Sequence, residues 1–150
     1  MKQQYREYLK LNKNILLGFT ASIIISAIIA QLLSGQENYL NATFTLMVDY
    51  VVYFSTFGSL YYFDNRKKYV LQTGAVDRIA LRKDLIKIIS SLGVGEVVYT
   101  GIRWLLQYYL LTETYQPYLA SLVSQSLSTI VYMAVVNLSV KVTGLYKNDT

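Results

Sequence analysis

The sequence predicts an all-α fold, namely an integral membrane bundle of four transmembrane helices. Hydrophobic residues make up 53% of the 150-residue chain. They occur in long blocks separated by short polar connections, and each block reaches the roughly 20 residues that a helix needs to cross a hydrocarbon core about 30 Å thick. This pattern is typical of a membrane protein and excludes an ordinary soluble domain.

The four apolar blocks define the predicted spans. They cover residues 15–33, 42–63, 85–111 and 118–140, and we expect the whole chain, 1–150, to form a single membrane domain. Basic residues precede the first block and small residues end it, as in a secretory signal. Its apolar stretch is longer than a signal core, so we interpret it as a retained helix. Pro117 suits the first turn of the fourth span or the loop before it.

The distribution of basic residues predicts the orientation of the chain. They lie before the first span, between the second and third, and after the fourth: Lys2, Arg6, Lys10, Lys13, Arg66, Lys67, Lys68, Arg78, Arg82, Lys83, Lys87, Lys141 and Lys147. The other two connections, "SGQENYLNAT" and "TETYQPY", contain no Lys or Arg. Because basic loops stay in the cytoplasm, we expect a protein of the cell membrane with both termini cytoplasmic.

The net charge of +5 also indicates a class of partner. The basic residues flank apolar helices, and this placement favours anionic lipid headgroups rather than nucleic acid. Four short helices enclose little volume, so we further expect a homo-oligomer or a place in a larger membrane complex.

The connection between the second and third spans is too polar to cross a membrane. After Gly74 a helical pattern returns, in which Ile79, Leu81 and Leu85 alternate with charged residues. This pattern predicts an amphipathic cytoplasmic segment at the inner interface, either bent into the third span or continuous with it.

The composition excludes most kinds of catalysis. The chain has no Cys and no His, which removes thiolate and imidazole ligands and nucleophiles. It also lacks a Walker-type loop, a GxSxG motif and a dinucleotide-binding fingerprint. We therefore predict a protein that is not an enzyme and that has no catalytic residue, cofactor or metal. Gly93 and Gly95 lie inside the third span, where we expect them to allow another helix to approach closely.

Three of the predicted spans carry polar residues at helical spacing, so that each has one polar face. The faces are Thr45, Asp49, Tyr53 and Thr56 on the second span; Glu96, Thr100, Arg103 and Gln107 on the third; and Ser121, Gln125, Ser128 and Tyr132 on the fourth. Such faces are costly against lipid and predict a polar interior.

The depth of the charged residues predicts which of them meet. Asp49 and Arg103 each lie about eight residues inside the outer end of a span, or roughly 12 Å deep. Gln125 reaches the same level, whereas Glu96 lies deeper and has no residue of opposite charge at its own depth. Because one unpaired charge at a helix centre costs on the order of 3 kcal/mol, we expect Asp49 and Arg103 to pair.

Three interpretations of these residues remain open at this point. The pair can simply fix the packing of two helices. Alternatively, it can line a substrate-binding cavity; the candidate residues are Asp49, Glu96, Tyr99, Arg103 and Gln125. In the third interpretation, Glu96 or Arg103 pairs with a residue of another polypeptide.

Two span ends and the third span resemble a known family. Span two ends in "YYFDNRKKYV", with Asn65, Arg66, Lys67 and Tyr69, and span four ends in "VVNLSVKVTGLY", with Asn137, Lys141 and Tyr146. The segment "KDLIKIISSLGVGEVVYTGIRWLLQYYLL" has a basic residue opening a glycine-containing apolar run. This order of features resembles the GtrA-like family of small four-span membrane proteins. The chain departs from the family in lacking an aromatic residue after Asn137 and a Gly-Asn opening of span one.

The resemblance implies a function in moving polyprenyl-phosphate-linked sugars across a membrane. The basic inner rim would attract the phosphate; its residues are Arg66, Lys67, Lys68, Arg82 and Lys83. The polar faces would shelter the sugar.

A second hypothesis is a non-enzymatic accessory subunit of a larger membrane complex, of respiratory or oxygenase type. The two hypotheses predict different interiors. A translocator predicts a lipid-accessible polar groove that exposes Glu96 and Arg103, whereas an accessory subunit predicts an Asp49–Arg103 pair closed inside the bundle. Glu96 motivates a third possibility, a proton-coupled carrier.

Overall fold

The computed structural model describes the backbone of residues 2–143 and the side chains of residues 5–139. Over the described range the chain is all-helical, which confirms the predicted fold class. The helices are α1 (Lys2–Leu32), α2 (Asn38–Asn65), α3 (Arg78–Ser91), α4 (Gly93–Thr112) and α5 (Pro117–Thr143), with a 3₁₀ turn at Arg66–Lys68. Tyr146 and Lys147, and the side chains of Lys2 and Lys141, lie outside the described part.

Four long helices form a ring. The most extensive contacts join α1 to α2 and α4 to α5, and each of these two pairs forms a hairpin. The ring closes through contacts of α1 with α5 and of α2 with α4, whereas α3 contacts mainly α4. The predicted bundle of four long helices is therefore present, with α3 attached at one end.

Within the described part of the chain, two helical segments are long and apolar enough to cross a membrane, Tyr5–Leu32 and Pro117–Ser139. The bent pair α3 and α4 qualifies as a third if it forms one span. Helix α2 is not among them, because Asp49 and several tyrosines lower its mean hydropathy. The helices are thus compatible with a membrane protein.

The predicted third span, 85–111, is interrupted. Helix α3 ends at Ser91, α4 begins at Gly93, and the two axes differ by 62°. Glycine has a low helix propensity and favours a break at this point. We expected the amphipathic segment to be either bent into the third span or continuous with it, and the chain adopts the bent structure. Helix α4 alone has 20 residues, enough to cross about 30 Å.

Close helix contacts occur at two glycines. A Cβ atom on Gly18 of α1 would lie 3.0 Å from the Tyr53 ring of α2, and one on Gly95 of α4 would lie 2.9 Å from Cγ2 of Val136 on α5. Gly95 thus permits the close approach that we predicted for it. Gly93 has no atom within 4 Å of that position and instead lies at the bend.

Aromatic side chains fill the middle of the bundle. The ring of Phe19 lies 4.4 Å from that of Tyr53 and 5.1 Å from those of Tyr99 and Tyr132, measured between centroids. These residues belong to one buried cluster, together with Ile15, Phe57, Leu92 and Val136. The cluster separates the polar residues at the two ends of the bundle.

The α2–α3 connection folds back on itself. Gly74, at φ +79°, makes the tight turn, and Val70 and Val76 form an antiparallel bridge. Asp84 of α3 accepts hydrogen bonds from Lys68 Nζ and from the buried Tyr69 hydroxyl, the latter at 2.6 Å. The Lys68 ammonium and the Tyr69 hydroxyl hold the pKa of Asp84 below its ordinary value. These contacts fasten the start of α3 to the end of α2.

Candidate functional site

The predicted ion pair lies at the centre of the candidate site. Arg103 Nε is 3.6 Å from Asp49 Oδ2, and the two side chains are 0% and 1% exposed. The prediction that these residues meet is confirmed. Because both charges are removed from solvent, their stability depends on further hydrogen bonds.

Asp49 receives hydrogen bonds from two other helices. The Tyr99 hydroxyl of α4 donates to Oδ2, and Gln125 Nε2 of α5 donates to Oδ1 at 2.7 Å. Gln125 Nε2 also lies 2.8 Å from Ser22 Oγ on α1. The carboxylate is therefore connected to every helix of the ring.

Arg103 is held by acceptors on its own helix and on α5. Its Nη1 donates to Gln107 Oε1 and, at 2.7 Å, to Ser124 Oγ, and its Nη2 donates to Ser121 Oγ at 3.1 Å. These bonds match the fixed fork of donors that a guanidinium presents. A lysine could not reproduce them.

The hydrogen-bonded network continues toward the end of the bundle formed by the α1–α2 and α4–α5 connections. Gln107 Nε2 donates to Asn41 Oδ1 at 3.1 Å. Asn41 Nδ2 in turn donates to the main-chain carbonyls of Ala30 and Leu33, at 2.9 and 3.0 Å, and so satisfies the end of α1. Asn41 thereby connects the ion pair to the surface.

A cavity of about 300 Å³ opens above Asn41. We call it the outer cavity; its lining residues are Ser34, Gln36, Asn38, Asn41, Leu111, Thr114, Tyr115, Gln116 and Pro117. The lining is mostly polar and carries no charge. Amide and hydroxyl groups beside an aromatic ring suit a neutral, hydroxyl-rich ligand.

Glu96 lies apart from the ion pair, as its depth predicted. Its Oε1 accepts a hydrogen bond from the Tyr132 hydroxyl at 2.9 Å, whereas its buried Oε2 has no hydrogen-bond partner among the side chains that the structure describes. Within residues 5–139, no Lys or Arg forms an ion pair with Glu96. The side chain is only partly buried, and Tyr50 and Thr100 form a hydrogen bond beside it.

Several more buried polar atoms of the interior have no hydrogen-bond partner among the described side chains. They are Ser26 Oγ, Tyr53 Oη, Arg103 Nε, Gln125 Oε1 and Thr129 Oγ1. In native proteins such atoms usually contact ordered water or a ligand. Together with the network around Asp49, they extend the polar interior along α1 and α5.

A second cavity, of about 250 Å³, lies at the opposite end of the bundle. We call it the inner cavity; its lining residues are Glu7, Lys10, Leu11, Asn14, Tyr61, Asn65, Lys68 and Ile88. They come from α1, the end of α2, the 3₁₀ turn and α3. In contrast to the outer cavity, this one is charged.

The five predicted headgroup-binding residues are all exposed, and their role stays a prediction. Arg66 and Lys67 are exposed in the 3₁₀ turn, and Arg82 and Lys83 are exposed on α3. Only Lys68 lines the inner cavity. The two asparagines of the family resemblance each donate to a carbonyl one turn earlier, Asn65 to Tyr61 at 2.9 Å and Asn137 to Met133 at 2.7 Å.

Sequence reasoning overlooked the buried face of α1. Residues at every fourth position are small or polar and are all buried: Asn14, Gly18, Ser22, Ser26 and Ala30. The spacing of small residues is the signal that could have found this face, because it lets membrane helices pack closely. All four helices of the ring, and not three, therefore contribute polar side chains to the interior.

Comparison with protein-family models gave no match, and neither did comparison with curated proteins or with solved structures. The fold and the site therefore define the class of protein: an all-helical bundle, compatible with a membrane, that encloses a charged and hydrogen-bonded core.

Proposed function

We propose that this protein crosses the cell membrane four times, with both termini in the cytoplasm, and translocates or helps to translocate a polyprenyl-phosphate-linked sugar. The observation that carries the proposal is a buried polar network that leads to a neutral cavity at one end of the bundle, with a second cavity that contains two lysines at the other end. No step of covalent chemistry is needed.

The distribution of side chains supports the membrane location. Polar and charged residues lie inside the ring, whereas large apolar residues cover its outside, including Ile24, Ile28, Met47, Leu105 and Ile130. This arrangement is the reverse of that in a water-soluble protein. It is favourable only where the surroundings are as apolar as lipid.

The same distribution supports α2 as the fourth span. Its polar residues Asn41, Thr45 and Asp49 are buried, and Phe44 and Val51 are exposed. The low mean hydropathy of α2 is due to the polar residues on the face that contacts the other helices. A helix of this kind can cross a membrane as part of a bundle although its composition alone does not qualify it.

The two cavities differ in a way that suits the two parts of a lipid-linked sugar. The outer cavity offers neutral amides, hydroxyls and Tyr115. The inner cavity offers the ammonium groups of Lys10 and Lys68. The unpartnered atoms Ser26 Oγ, Gln125 Oε1 and Thr129 Oγ1 lie on the interior faces of α1 and α5, where hydroxyl groups in transit would find partners.

The translocator hypothesis expected Glu96 and Arg103 in an open groove, and the bundle differs from that expectation. Arg103 is completely buried, and Glu96 is partly buried. We therefore assign this structure to a closed conformation. Transport would require the hairpins α1–α2 and α4–α5 to separate, exchanging the Gln125–Asp49 hydrogen bond for contacts with the substrate.

A reconstituted transport assay tests the proposal. The protein is inserted into liposomes that contain a fluorescent short-chain polyprenyl-phosphate sugar, and transbilayer movement is measured by quenching from one side. We expect Glu96→Ala to abolish movement while the protein stays inserted. Gly101→Ala is the matched control, because Gly101 lies on the exposed side of the same helix. Movement no faster than in empty liposomes would contradict the proposal.

One observation favours the second candidate, a non-enzymatic accessory subunit. That hypothesis predicted an Asp49–Arg103 pair closed inside the bundle, and the pair is closed. Extraction of the native protein in mild detergent, followed by sizing and mass spectrometry, separates the candidates. Larger membrane subunits in a fixed ratio would favour an accessory subunit, and a small homo-oligomer carrying polyprenyl-phosphate lipid would favour a translocator.

A further inference from the structure

We infer that the inner cavity binds the phosphate group of a lipid, using Lys10 and Lys68 as its cationic contacts. This inference takes one element from the proposed function, namely the membrane orientation. That orientation places the inner cavity at the cytoplasmic leaflet. The inference places the phosphate in a cavity that contains one residue of the basic rim, Lys68.

The charges of the cavity favour an anion. Its lining contains two ammonium groups, on Lys10 and Lys68, and one carboxylate, on Glu7. Lys10 Nζ is 3.2 Å from Glu7 Oε1, and Lys68 contacts Asp84 outside the lining. An ammonium has three donor hydrogens, so each lysine can bind a phosphate oxygen without giving up its present partner.

A buried amide points to a ligand in the same place. Asn14 is 2% exposed; its Nδ2 donates to Asp64 at 3.1 Å, but among the described side chains its buried Oδ1 has no hydrogen-bond partner. Because Asn14 lines the cavity, a rotation of its amide would turn this acceptor toward a hydroxyl that adjoins the phosphate. The donors and the acceptor together match a hydroxyl-bearing phosphate ester better than a bare anion.

The remaining wall explains why the phosphate should belong to a lipid. Leu11 and Ile88 line the cavity, and both pack against the apolar core of the bundle. An alkyl or prenyl chain attached to the phosphate would contact this wall. At about 250 Å³ the cavity is smaller than most small-molecule sites, so it fits a headgroup and the start of its chain.

Helix α3 completes the site. Ile88 of α3 lies one turn before the 62° bend at Leu92 and lines the cavity. The contacts of Asp84 with Lys68 and Tyr69 hold the start of the same helix. A straight continuation of α4 would leave the cavity without this wall.

The test uses the full chain in a neutral maltoside detergent, which contains no phosphate, and measures bound ligand by native mass spectrometry. The probes are farnesyl phosphate, a short-chain phosphatidylglycerol, inorganic phosphate and farnesol. We expect farnesyl phosphate, phosphatidylglycerol or both to bind more tightly than inorganic phosphate and farnesol. Preference for farnesyl phosphate would identify a prenyl monoester as the source, and preference for phosphatidylglycerol a membrane diester.

Neighbouring lysines supply matched controls. Lys10→Gln and Lys68→Gln should each weaken binding about tenfold, the usual effect of losing a hydrogen bond to a charged group. Lys67→Gln and Lys83→Gln remove the same charge from exposed residues outside the lining and should have little effect. Circular dichroism and sizing verify that all four variants fold.

Equal losses in the cavity variants and their controls would overturn the inference, because binding would then reflect net charge alone. Tight binding of farnesol would overturn it as well. The outcome is independent of the transport assay: translocation with no selective phosphate binding would refute this site alone. Selective binding without translocation would refute the proposed transport and keep the site.

Discussion

Arg103 and Asp49 show, at the scale of single residues, how a membrane interior can keep two charges. Neither side chain reaches solvent, yet hydrogen bonds from Tyr99 and Gln125 and to Ser124 surround the pair. A buried pair of this kind gains little net stability, but removal of one partner leaves the other charge uncompensated.

We therefore predict that Arg103→Met lowers the free energy of unfolding by about 3–5 kcal/mol. The double variant Asp49→Asn with Arg103→Met should lose less, because no isolated charge remains. Reversible unfolding in mixed micelles measures both. A single variant that loses under about 1 kcal/mol would mean that water reaches Asp49.

Gly95 supports a second prediction at this scale. A Cβ atom would lie 2.9 Å from Val136 Cγ2 and 3.0 Å from the Tyr132 ring, so Gly95→Ala should destabilise the α4–α5 hairpin by about 1–3 kcal/mol. Gly101→Ala on the same helix meets nothing within 4 Å and should be neutral or slightly stabilising. Thermal unfolding in detergent compares the two; equal midpoints would contradict the close approach.

At the scale of elements, the position of α3 depends on ionised Asp84. The pKa of Asp84 is lowered in the folded protein. The contact of Asp84 with Lys68 and Tyr69 therefore stabilises the folded protein above the ordinary pKa of an aspartate, 3.8. This stabilisation is lost progressively as the pH falls below that value. Lys68 is largely exposed, and the effect should stay below about 1 kcal/mol.

The prediction is that the start of α3 becomes mobile as the pH falls from 3.8 through the lowered pKa of Asp84, and that Asp84→Asn has the same effect at neutral pH. The chain contains no cysteine, so Ile79→Cys gives a single site for a spin label on an exposed position of α3. Paramagnetic resonance then reports the mobility. An unchanged spectrum in both experiments would show that Asp84 does not hold α3.

The elements also show how much the sequence could predict. The positions of the long helices and their polar faces could be predicted from the periodicity of apolar and polar residues. The direction of each polar face could be predicted as well, because in lipid a polar face must turn toward the interior of the bundle. The bend at Leu92 did not follow, because the spacing in "SSLGVGE" fits a straight helix as well. Nor could the cavities be predicted, since each is built from residues of helices that are distant in the sequence, such as Asn14 and Lys68.

At the scale of the whole molecule, the orientation in the membrane remains a prediction that the basic residues support. Single cysteines at Gly35 and at Lys67 test it, because the two residues lie in exposed connections at opposite ends of the bundle. In intact cells a membrane-impermeant maleimide should label position 35 and not position 67. The reverse labelling would invert the topology, and labelling of both would contradict a single orientation.

The contacts of Gly18 with Tyr53 and of Gly95 with Tyr132 repeat one geometry in the two hairpins. The contact of α1 with α2 corresponds to that of α4 with α5. If α1 is exchanged with α4 and α2 with α5, the order of the helices around the ring stays the same. The two hairpins are thus related as repeats of one two-helix unit. If Gly18 is aligned with Gly95 and Tyr53 with Tyr132, Asp49 aligns with Ser128 and Arg103 with Ser26. Each hairpin therefore contributes one charge where the other has a serine, and the symmetry is broken at the ion pair.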